Sequence, residues 1–386
     1  MTDLLQLLKP LENELLSQVS GQSVHWCRRG TTAGAWAFKA ASLNRPDIKE
    51  PEVVLPSTAC STMPAAVLLA GCQIRFADVS LHDALPTVAS IKAVLTDNTV
   101  AVLFIHMFGN TADLDELHAL LKARDIWLIE DAAQSFGGHT PSGKVLGATG
   151  EMTLHGFTDN KILESGGGAL LVRDPVCQPF IEEARRLLPH PELLSRDLYS
   201  RYDRSFQSIY NGMVEYQRIM NAKSSKTSTV GPPWLTAYPK TLPNAFASII
   251  LSYSNWFMQC EPPTMRLTYE RRHLEASIDH RLTMAALYRY LIPEEIGNHI
   301  SHFDTSGNCW RYTILLNETI AQEDFIASLR RKGYQATDLY WPLDTLLGDA
   351  PSCPNALELG KRIVNLPVDK TVNEEMVRDI VKLMLA

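Results

Sequence analysis

The chain has 386 residues, 45% of them hydrophobic and 20% charged, which is typical of a globular α/β protein with one large or two modest domains. Its formal net charge of −7 disfavours nucleic acid or an anionic membrane surface as a partner. No apolar run reaches the roughly 18 residues that a membrane span needs. The seven cysteines are odd in number and form no C-x-x-C pair, so we expect reduced thiols in a cytoplasm rather than a disulfide framework or a zinc site.

The first predicted element is an amphipathic helix over Leu4–Leu16. Its leucines stand at positions 4, 5, 7, 8, 11, 15 and 16, a spacing that produces a broad apolar stripe. Pro10 either kinks this helix or begins a second short one. The stripe needs a cover, and both a partner subunit and the chain's own large domain are candidates.

Short apolar strands then alternate with helices between about residues 30 and 175. The predicted strands are Glu52–Leu55, Gln73–Phe76, Val100–Ile105, Ile126–Ile129 and Gly168–Val172, and the predicted helices include Gly30–Ala41, Met63–Leu69 and Leu114–Ala123. This alternation indicates an α/β fold with a mostly parallel sheet that is covered on both faces. We therefore predict a large domain over residues 1–245.

The second half of the chain has a different pattern. Residues 179–235 are predicted to form an atypical insert, helical at first and ending in the polar loop Asn221–Pro233. Residues 244–279 indicate one long helix or two, which connects to a second, smaller α+β domain over 246–386. Its predicted elements are a strand at Trp310–Leu315 and helices at Gln322–Lys332 and Val372–Leu385.

An acidic pair directly follows the predicted strand Ile126–Ile129. Glu130 and Asp131 therefore lie at the carboxyl end of a strand, where open α/β sheets bind ligands. A carboxylate there can form a salt bridge with a protonated heterocyclic nitrogen. The alternative is that Asp131 only caps the next helix, which is the commoner role of a lone acid in this position.

Two further segments carry possible chemistry. Lys161 stands in a polar turn before three glycines, and a lysine amine becomes nucleophilic when burial or a nearby cation lowers its pKa. A solvated loop lysine is the alternative. Residues 29–33 (RGTTA) open a predicted helix whose free N–H groups favour a phosphate, although an ordinary threonine cap fits equally well.

In this order and spacing, the motifs resemble the DegT/DnrJ/StrS family of pyridoxal-phosphate-dependent sugar aminotransferases. The family's S-G-T-x-A corresponds to RGTTA at 29–33, its H-x-Y-G-x-x-A-D to HMFGNTAD at 106–113, and its S-F-x-x-x-K to GFTDNK at 156–161. Its I-E-D-A-A-Q is unchanged at 129–134. The similarity covers residues 22–174 and again about 311–386.

The resemblance implies the aspartate-aminotransferase-like fold (fold type I), a homodimer, and pyridoxal 5′-phosphate as the cofactor. Lys161 is similar to the lysine that forms a Schiff base with the cofactor, and Asp131 to the partner of its ring nitrogen. The phosphate cradle of the family corresponds to Gly30, Thr31 and Thr32, and the residue near the phenolic oxygen corresponds to Gln134.

Three positions depart from the family pattern. Cys60 stands where an aromatic residue stacks on the ring, Gly156 replaces a serine that helps to hold the phosphate, and Ala237–Thr241 replaces the segment G-Y-N-x-R. Cys60 is expected to contact the ring as a soft sulfur or to be a small core thiol. Thr158 and Asn160 are candidates to replace the missing phosphate donors.

Two other candidates lie near the predicted site. His106, at a strand end, either faces the cofactor or bonds a loop. Tyr340 and Trp341 lie where the C-terminal domain of the family approaches the substrate, although packing is the commoner role of such aromatics.

The activity implied is amino transfer from an amino acid, glutamate or glutamine, to a ketone or aldehyde, most often a nucleotide-linked keto-sugar in this family. One alternative is a dehydration, decarboxylation or condensation with the same cofactor. Another is a degenerate, non-enzymatic relative. The deoxygenating branch of the family has histidine at the lysine position, so the retained Lys161 favours amino transfer.

Overall fold

The computed structural model contains two β-sheets with helices packed around them. It describes residues 2–27, 29–60, 62–158, 161–188, 271–302, 307–340, 342–344 and 352–385, with side chains from residue 9 onward. The strands are β1 (Ser23–Cys27), β2 (Glu52–Pro56), β3 (Gln73–Ala77), β4 (Thr99–Ile105), β5 (Trp127–Asp131), β6 (Met152–Gly156), β7 (Gly168–Val172), β8 (Gly297–His299), β9 (Tyr312–Leu316) and β10 (Ile363–Leu366). The helices are α1 (Thr2–Val19), α2 (Gly30–Asn44), α3 (Met63–Leu69), α4 (Val88–Val94), α5 (Asp115–Lys122), α6 (Gln178–Leu187), α7 (Leu274–Leu291), α8 (Gln322–Arg331), α9 (Pro354–Arg362) and α10 (Glu374–Met384).

Strands β1 to β7 form one sheet in the order β1-β7-β6-β5-β4-β2-β3. The five strands β6, β5, β4, β2 and β3, adjacent in that order, are parallel to one another. Strand β7 is antiparallel to both of its neighbours, β1 and β6. Strands β2, β4, β5, β6 and β7 are buried along their whole length, as strands covered on both faces must be. The predicted α/β fold with a mostly parallel sheet is confirmed.

The strand directions bring the predicted motifs to one edge of this sheet. The segments that follow β2, β4, β5 and β6 leave at the carboxyl edge because these strands are parallel. Strand β1 runs in the same direction as β6, since both are antiparallel to β7, so α2 also begins at this edge.

Helix α2 is buried for most of its length, and its start lies directly against β7. A Cβ on Gly168 would come within 2.5 Å of the carbonyl carbon of Arg29 and 2.6 Å of the nitrogen of Gly30. Only glycine fits at this position. The last glycine of the triplet after Lys161 therefore allows the α2 start to approach the β6–β7 pair.

The C-terminal part contains an antiparallel sheet in the order β10-β9-β8. Its core is shared with α7, α8 and α10, and includes Tyr288, Tyr312, Leu329, Val364 and Ile380. The predicted small α+β domain at the C-terminus is confirmed. The predicted boundary at 245/246 lies outside the described residues.

Asn110, which follows β4, joins the two domains. Its Nδ2 donates hydrogen bonds to the carbonyl oxygens of Asp83 (2.8 Å) and Ile300 (3.0 Å), and its Oδ1 accepts one from the backbone N–H of His302 at 2.7 Å. One side chain thus bonds backbone groups of both domains, and these hydrogen bonds hold the small domain beside the carboxyl edge of the larger sheet.

Helix α1 is a single helix that includes Pro10. Leu11, Leu15 and Val19 are buried in the core of the large domain, so this half of the apolar stripe is covered by its own chain. The side chains of residues 2–8 lie outside the description. Among the described helices, none has both the length and the apolar character needed to cross a bilayer.

The predicted elements differ from the observed ones mainly by omission. Strands β1 and β6 were not predicted, because each is a five-residue segment that contains histidine and becomes a strand by long-range pairing, β1 with β7 and β6 with both β5 and β7. Helix α6 accounts for the start of the predicted insert 179–235. The rest of that insert and most of the predicted 244–279 helix lie outside the described residues.

Candidate active site

Glu130 and Asp131 end the same buried strand, but their surroundings differ. The carboxylate of Glu130 accepts hydrogen bonds from the backbone N–H groups of Gly147 (2.9 Å), Thr149 (3.0 Å) and Gly150 (2.7 Å), and lies 3.2 Å from Nε2 of His106. Burial raises the pKa of Glu130, but these hydrogen bonds outweigh burial and hold that pKa below its ordinary value. Glu130 therefore fixes the turn over residues 147–150, and both of its carboxylate oxygens already accept hydrogen bonds from protein groups.

Asp131 is also buried, yet within the described residues its carboxylate accepts one hydrogen bond, from the backbone N–H of Ala133 at 2.9 Å. Burial raises the pKa of Asp131 above its ordinary value, and the Ala133 N–H and the charges of Lys161 and His106 only partly oppose this. A buried carboxylate with spare acceptor capacity is suited to binding a cationic nitrogen.

Lys161 follows β6 at the same edge of the sheet. Its Nζ lies 5.1 Å from the centroid of the Trp310 ring. Burial lowers the pKa of the Lys161 amine, the charges of Cys60 and Asp131 raise it, and the Arg311 guanidinium lowers it again, with a net lowering from the ordinary value. A larger fraction of this amine is therefore neutral than in a solvated lysine.

The start of α2 carries unused polar groups. Gly30 and Thr31 are the first residues of the helix, where backbone N–H groups have no intrahelical acceptor. The hydroxyl of Thr32 is fully buried and has no partner within the described residues. Together with the helix dipole, these donors suit an anion such as a phosphate.

A second group of hydroxyls lies after β2. The Thr31 hydroxyl donates to the Thr62 hydroxyl at 3.0 Å, and Sγ of Cys60 lies 3.4 Å from the same Thr62 oxygen. The Thr58 hydroxyl is buried with no partner in the described part of the chain. Ser57 donates to Asp344 at 2.5 Å and thereby ties this segment to the C-terminal part.

His106 and Gln134 are held in place by their neighbours. The Gln134 amide accepts a hydrogen bond from the Phe108 backbone N–H at 2.8 Å and donates one to the Tyr340 hydroxyl at 3.2 Å. His106 directs Nε2 towards Glu130, and its Nδ1 is buried without a partner in the described residues. Either side chain can therefore offer at most part of its hydrogen-bonding capacity to a ligand.

An aromatic cluster of Phe108, Trp310 and Tyr340 lies beside Lys161. The ring centroids are 6.3 to 6.4 Å apart and the ring planes lie within 14° of one another. The Trp310 backbone N–H donates to the Phe108 carbonyl at 2.9 Å, and this approach needs Gly109, where a Cβ would lie 2.7 Å from the Cys309 nitrogen. Tyr340 was predicted from the sequence as a candidate near the site, whereas Phe108 and Trp310 were not, because their contact depends on this long-range approach.

Arg281 of α7 was also missed. Its Nη1 donates to the Trp310 carbonyl at 3.0 Å and its Nη2 to the Lys161 carbonyl at 3.4 Å. One guanidinium thus holds the backbone of both residues, and no local pattern in the sequence distinguishes it from the other arginines nearby.

The remaining predicted positions have less definite surroundings. Thr158 is half-buried and its carbonyl accepts a hydrogen bond from the Lys161 backbone N–H at 3.2 Å. A Cβ on Gly156 would lie 3.2 Å from that of Ala133, which is a tight contact. Asn160, Trp341 and the segment Ala237–Thr241 lie outside the described residues.

Comparison with known proteins gives a consistent picture. The model of the DegT/DnrJ/EryC1/StrS aminotransferase family matches residues 8–190 and 269–385. GDP-perosamine synthase from Escherichia coli O157:H7 is 21% identical over 375 residues, which cover 96% of this chain and 87% of that protein.

Two solved structures share the fold. PseC from Helicobacter pylori, an aminotransferase involved in the biosynthesis of pseudoaminic acid, has a TM-score of 0.71 and 13% identity over 98% of this chain and 90% of its own. GDP-4-keto-6-deoxy-D-mannose-3-dehydratase from E. coli, with bound hydrated PLP, has a TM-score of 0.70 and 15% identity over 98% of this chain and 91% of its own. The predicted fold class is therefore confirmed.

Proposed function

Because the chain belongs to the DegT/DnrJ/EryC1/StrS aminotransferase family, we propose that it transfers an amino group from glutamate or glutamine to the ketone or aldehyde group of a biosynthetic intermediate. It is an enzyme of the pyridoxal-phosphate-dependent aminotransferase type, and pyridoxal 5′-phosphate is its cofactor. The observation that carries the proposal is the pairing of a lysine whose pKa is lowered with a buried, undersaturated aspartate at one sheet edge.

The described residues fit this cofactor. The buried, unpartnered Thr32 hydroxyl and the first N–H groups of α2 would hold its phosphate, with Gly30 and Thr31 completing the cradle. Asp131 would bind the ring nitrogen, and Lys161 would carry the covalent link.

Five other residues are proposed to border the cofactor. Cys60 would contact the ring, and His106 and Gln134 would border it at the ends of their strands. Thr158 and Asn160 are proposed as additional donors beside Lys161.

The cofactor, when bound, supplies an electron-withdrawing ring that stabilises negative charge at the α-carbon of the amino acid. Asp131 would keep a proton on the ring nitrogen, because a nearby carboxylate favours the protonated form. The neutral amine of Lys161 accepts a proton from the α-carbon and returns it at the next step, as a general base and acid. The Trp310 ring, whose centroid lies 5.1 Å from Nζ, and its neighbours Phe108 and Tyr340 would shield this amine from water.

We propose a nucleotide-linked keto-sugar as the leading acceptor class. The support is the name of the relative that matches almost the full chain, GDP-perosamine synthase, together with the sugar-aminotransferase resemblance of the motifs. Another biosynthetic ketone or aldehyde is the second candidate, because Cys60, Gly156 and the unmatched middle segment depart from the family pattern.

A dehydration with the same cofactor is the alternative reaction. Its support is the structural likeness to the E. coli 3-dehydratase, and the retained Lys161 opposes it. The deciding experiment mixes the cofactor-loaded protein with L-glutamate or L-glutamine and follows the cofactor spectrum. Conversion to the amine form of the cofactor with release of the keto acid is expected. A protein that binds the cofactor and reacts with no amino acid would contradict amino transfer.

We further propose a homodimer. The family resemblance implies one, and the sequence of α1 carries a broad apolar stripe, with further leucines at 4, 5, 7 and 8, that a partner subunit could cover. Light scattering of the cofactor-loaded protein at low micromolar concentration should give the mass of two chains. The mass of one chain, with cofactor bound, would contradict the dimer.

A further inference from the structure

Next to Lys161 are two buried arginines, Arg281 and Arg311, whose nearest acid is the half-buried Asp369. Arg281 is 3% exposed and Arg311 is 6% exposed. Burial lowers the pKa of both guanidinium groups, although both still carry charge at neutral pH. The negative charges of Asp369 and, more weakly, of Glu164 act on both guanidinium groups, and Glu164 also pairs with Lys370 at 3.5 Å. The carbonyl oxygen of Lys161 accepts a hydrogen bond from Arg281, so the cluster lies next to that residue.

The hydrogen bonds of this cluster are incomplete. Arg281 donates two hydrogen bonds to backbone carbonyl oxygens, and its Nε is buried without a partner in the described residues. Nη1 of Arg311 is likewise buried without a hydrogen-bond partner in the described part of the chain. Its nearest acid oxygen is Oδ2 of Asp369 at 3.8 Å, beyond hydrogen-bond range.

Asp369 is a poor partner for a second reason. Its Oδ1 accepts hydrogen bonds from the Thr371 hydroxyl at 2.6 Å and from the Thr371 backbone N–H at 3.1 Å. These bonds orient the carboxylate towards its own turn. Arg311 is thus a nearly buried cation without a hydrogen-bonded anion, an arrangement that costs free energy unless a ligand supplies the anion.

The position of Arg311 identifies the ligand that would approach it. Its guanidinium lies 5.5 Å from the centroid of the Trp310 ring, and Nζ of Lys161 lies 5.1 Å from the same centroid. Tyr340, whose hydroxyl accepts a hydrogen bond from Gln134, also acts electrostatically on Arg311. Arg311 therefore borders the site of amino transfer through two of its aromatic residues.

We propose that Arg311 binds the α-carboxylate of the amino-acid donor. This inference rests on the proposed function, because Lys161 must reach the α-carbon, and the α-carboxylate is attached to that carbon. A planar guanidinium with unused N–H groups matches a carboxylate in shape and charge. Arg281 is a positioning residue in this arrangement, since its donors hold the backbone of Lys161 and Trp310.

The test measures binding to the cofactor-loaded protein by calorimetry, with two amino acids that lack an α-proton. α-Methyl-L-glutamate carries both an α-carboxylate and a side-chain carboxylate, whereas 2-aminoisobutyrate carries the α-carboxylate alone. The variants are Arg311→Met and Arg311→Lys. The matched control is Arg378→Met, which removes an exposed arginine of α10 in the same domain.

The expected result is that Arg311→Met weakens binding of both probes about 10- to 100-fold, since a hydrogen bond to a charged group contributes about that much. Arg311→Lys should give an intermediate loss, and Arg378→Met none. Loss with α-methyl-L-glutamate only would overturn the α-carboxylate assignment in favour of the side-chain carboxylate. Unchanged binding of both probes would overturn the inference altogether.

Two further outcomes are distinguishable. If Arg311→Met does not fold because Asp369 loses its ion pair, Arg311→Lys decides alone, and wild-type affinity in that variant counts against the proposed bidentate contact. If the wild-type protein neither binds these probes nor reacts with L-glutamate, the proposed function itself fails. Reaction of the wild type with L-glutamate and equal affinities in all variants would refute only the role of Arg311.

Discussion

Replacing Glu130 with glutamine is expected to lower the free energy of unfolding by about 1–6 kcal/mol, the cost of one or two buried donors left without an acceptor. Each carboxylate oxygen of Glu130 faces two donors: Oε1 faces the N–H groups of Thr149 and Gly150, and Oε2 faces Gly147 N–H and His106 Nε2. An amide replaces one of these oxygens with an NH₂ group. At Oε1 this leaves two backbone N–H groups without an acceptor, and at Oε2 it leaves the Gly147 N–H without one, because His106 can change tautomer and accept from the amide. Each such donor costs about 1–3 kcal/mol.

The pH dependence gives a second signature of Glu130. Its pKa in the folded protein lies below the ordinary 4.5, so its contribution to stability is complete above that value and is lost as the pH falls through the lower, folded-state pKa. The Glu130→Gln variant lacks this contribution at every pH. The difference in stability between wild type and variant should therefore shrink as the pH falls below about 4.5.

The matched control is Asp131→Asn, one residue away on the same strand. Burial raises the pKa of Asp131, so its charge destabilises the cofactor-free protein, and the neutral amide should unfold at the same or a higher temperature at pH 7. The same variant should lose about 100-fold or more in the glutamate reaction, because the ring nitrogen loses its charged partner. Thermal unfolding without cofactor and the cofactor spectrum with glutamate measure both effects. Equal loss of stability in the two variants would refute this division of roles.

Three other variants test neighbouring parts of the site. Lys161→Ala should bind the cofactor without a link that borohydride can fix, and a surviving adduct would assign the lysine role elsewhere. Thr32→Val should leave the cofactor-free protein equally stable, since its hydroxyl has no partner in the described residues, and should weaken cofactor binding about 5- to 10-fold in a fluorescence titration. Burial lowers the pKa of His155 to about 4, so wild-type stability should fall as the pH drops from 6.5 towards 4, and His155→Phe should remove this part of the decline in a pH series of unfolding temperatures.

Local patterns in the sequence were sufficient to predict much of the secondary structure of the large domain. Helix α3 and strand β7 have the predicted bounds, because each is an uninterrupted apolar segment between turn residues. The start of α2 at Gly30 follows from its Gly-Thr turn. The parallel sheet followed from the alternation of such segments, and with it the position of Glu130 and Asp131 at a carboxyl edge. That Asp131 and Lys161 serve one cofactor was implied by the family resemblance alone.

The roles within the acidic pair needed the tertiary structure. Adjacent residues on a strand face opposite sides of a sheet, so Glu130 and Asp131 were bound to differ, but the alternation does not say which one meets the turn from Gly147 to Gly150. That turn reaches Glu130 only after β6 has paired with β5.

The sequence by itself determined which residues carry chemistry, and it placed Glu130 and Asp131 at the carboxyl edge because they follow a predicted strand. The structure placed Lys161 and the start of α2 at the same edge, because that depends on the pairing of β6 and β1 with β7. Only the tertiary structure decided which residues of the C-terminal domain lie next to Lys161. Trp310, Arg281 and Arg311 come from segments more than 100 residues beyond Lys161, and they reach it through contacts such as Gly109 with Cys309. Such contacts depend on the packing of two domains, and no local periodicity encodes them.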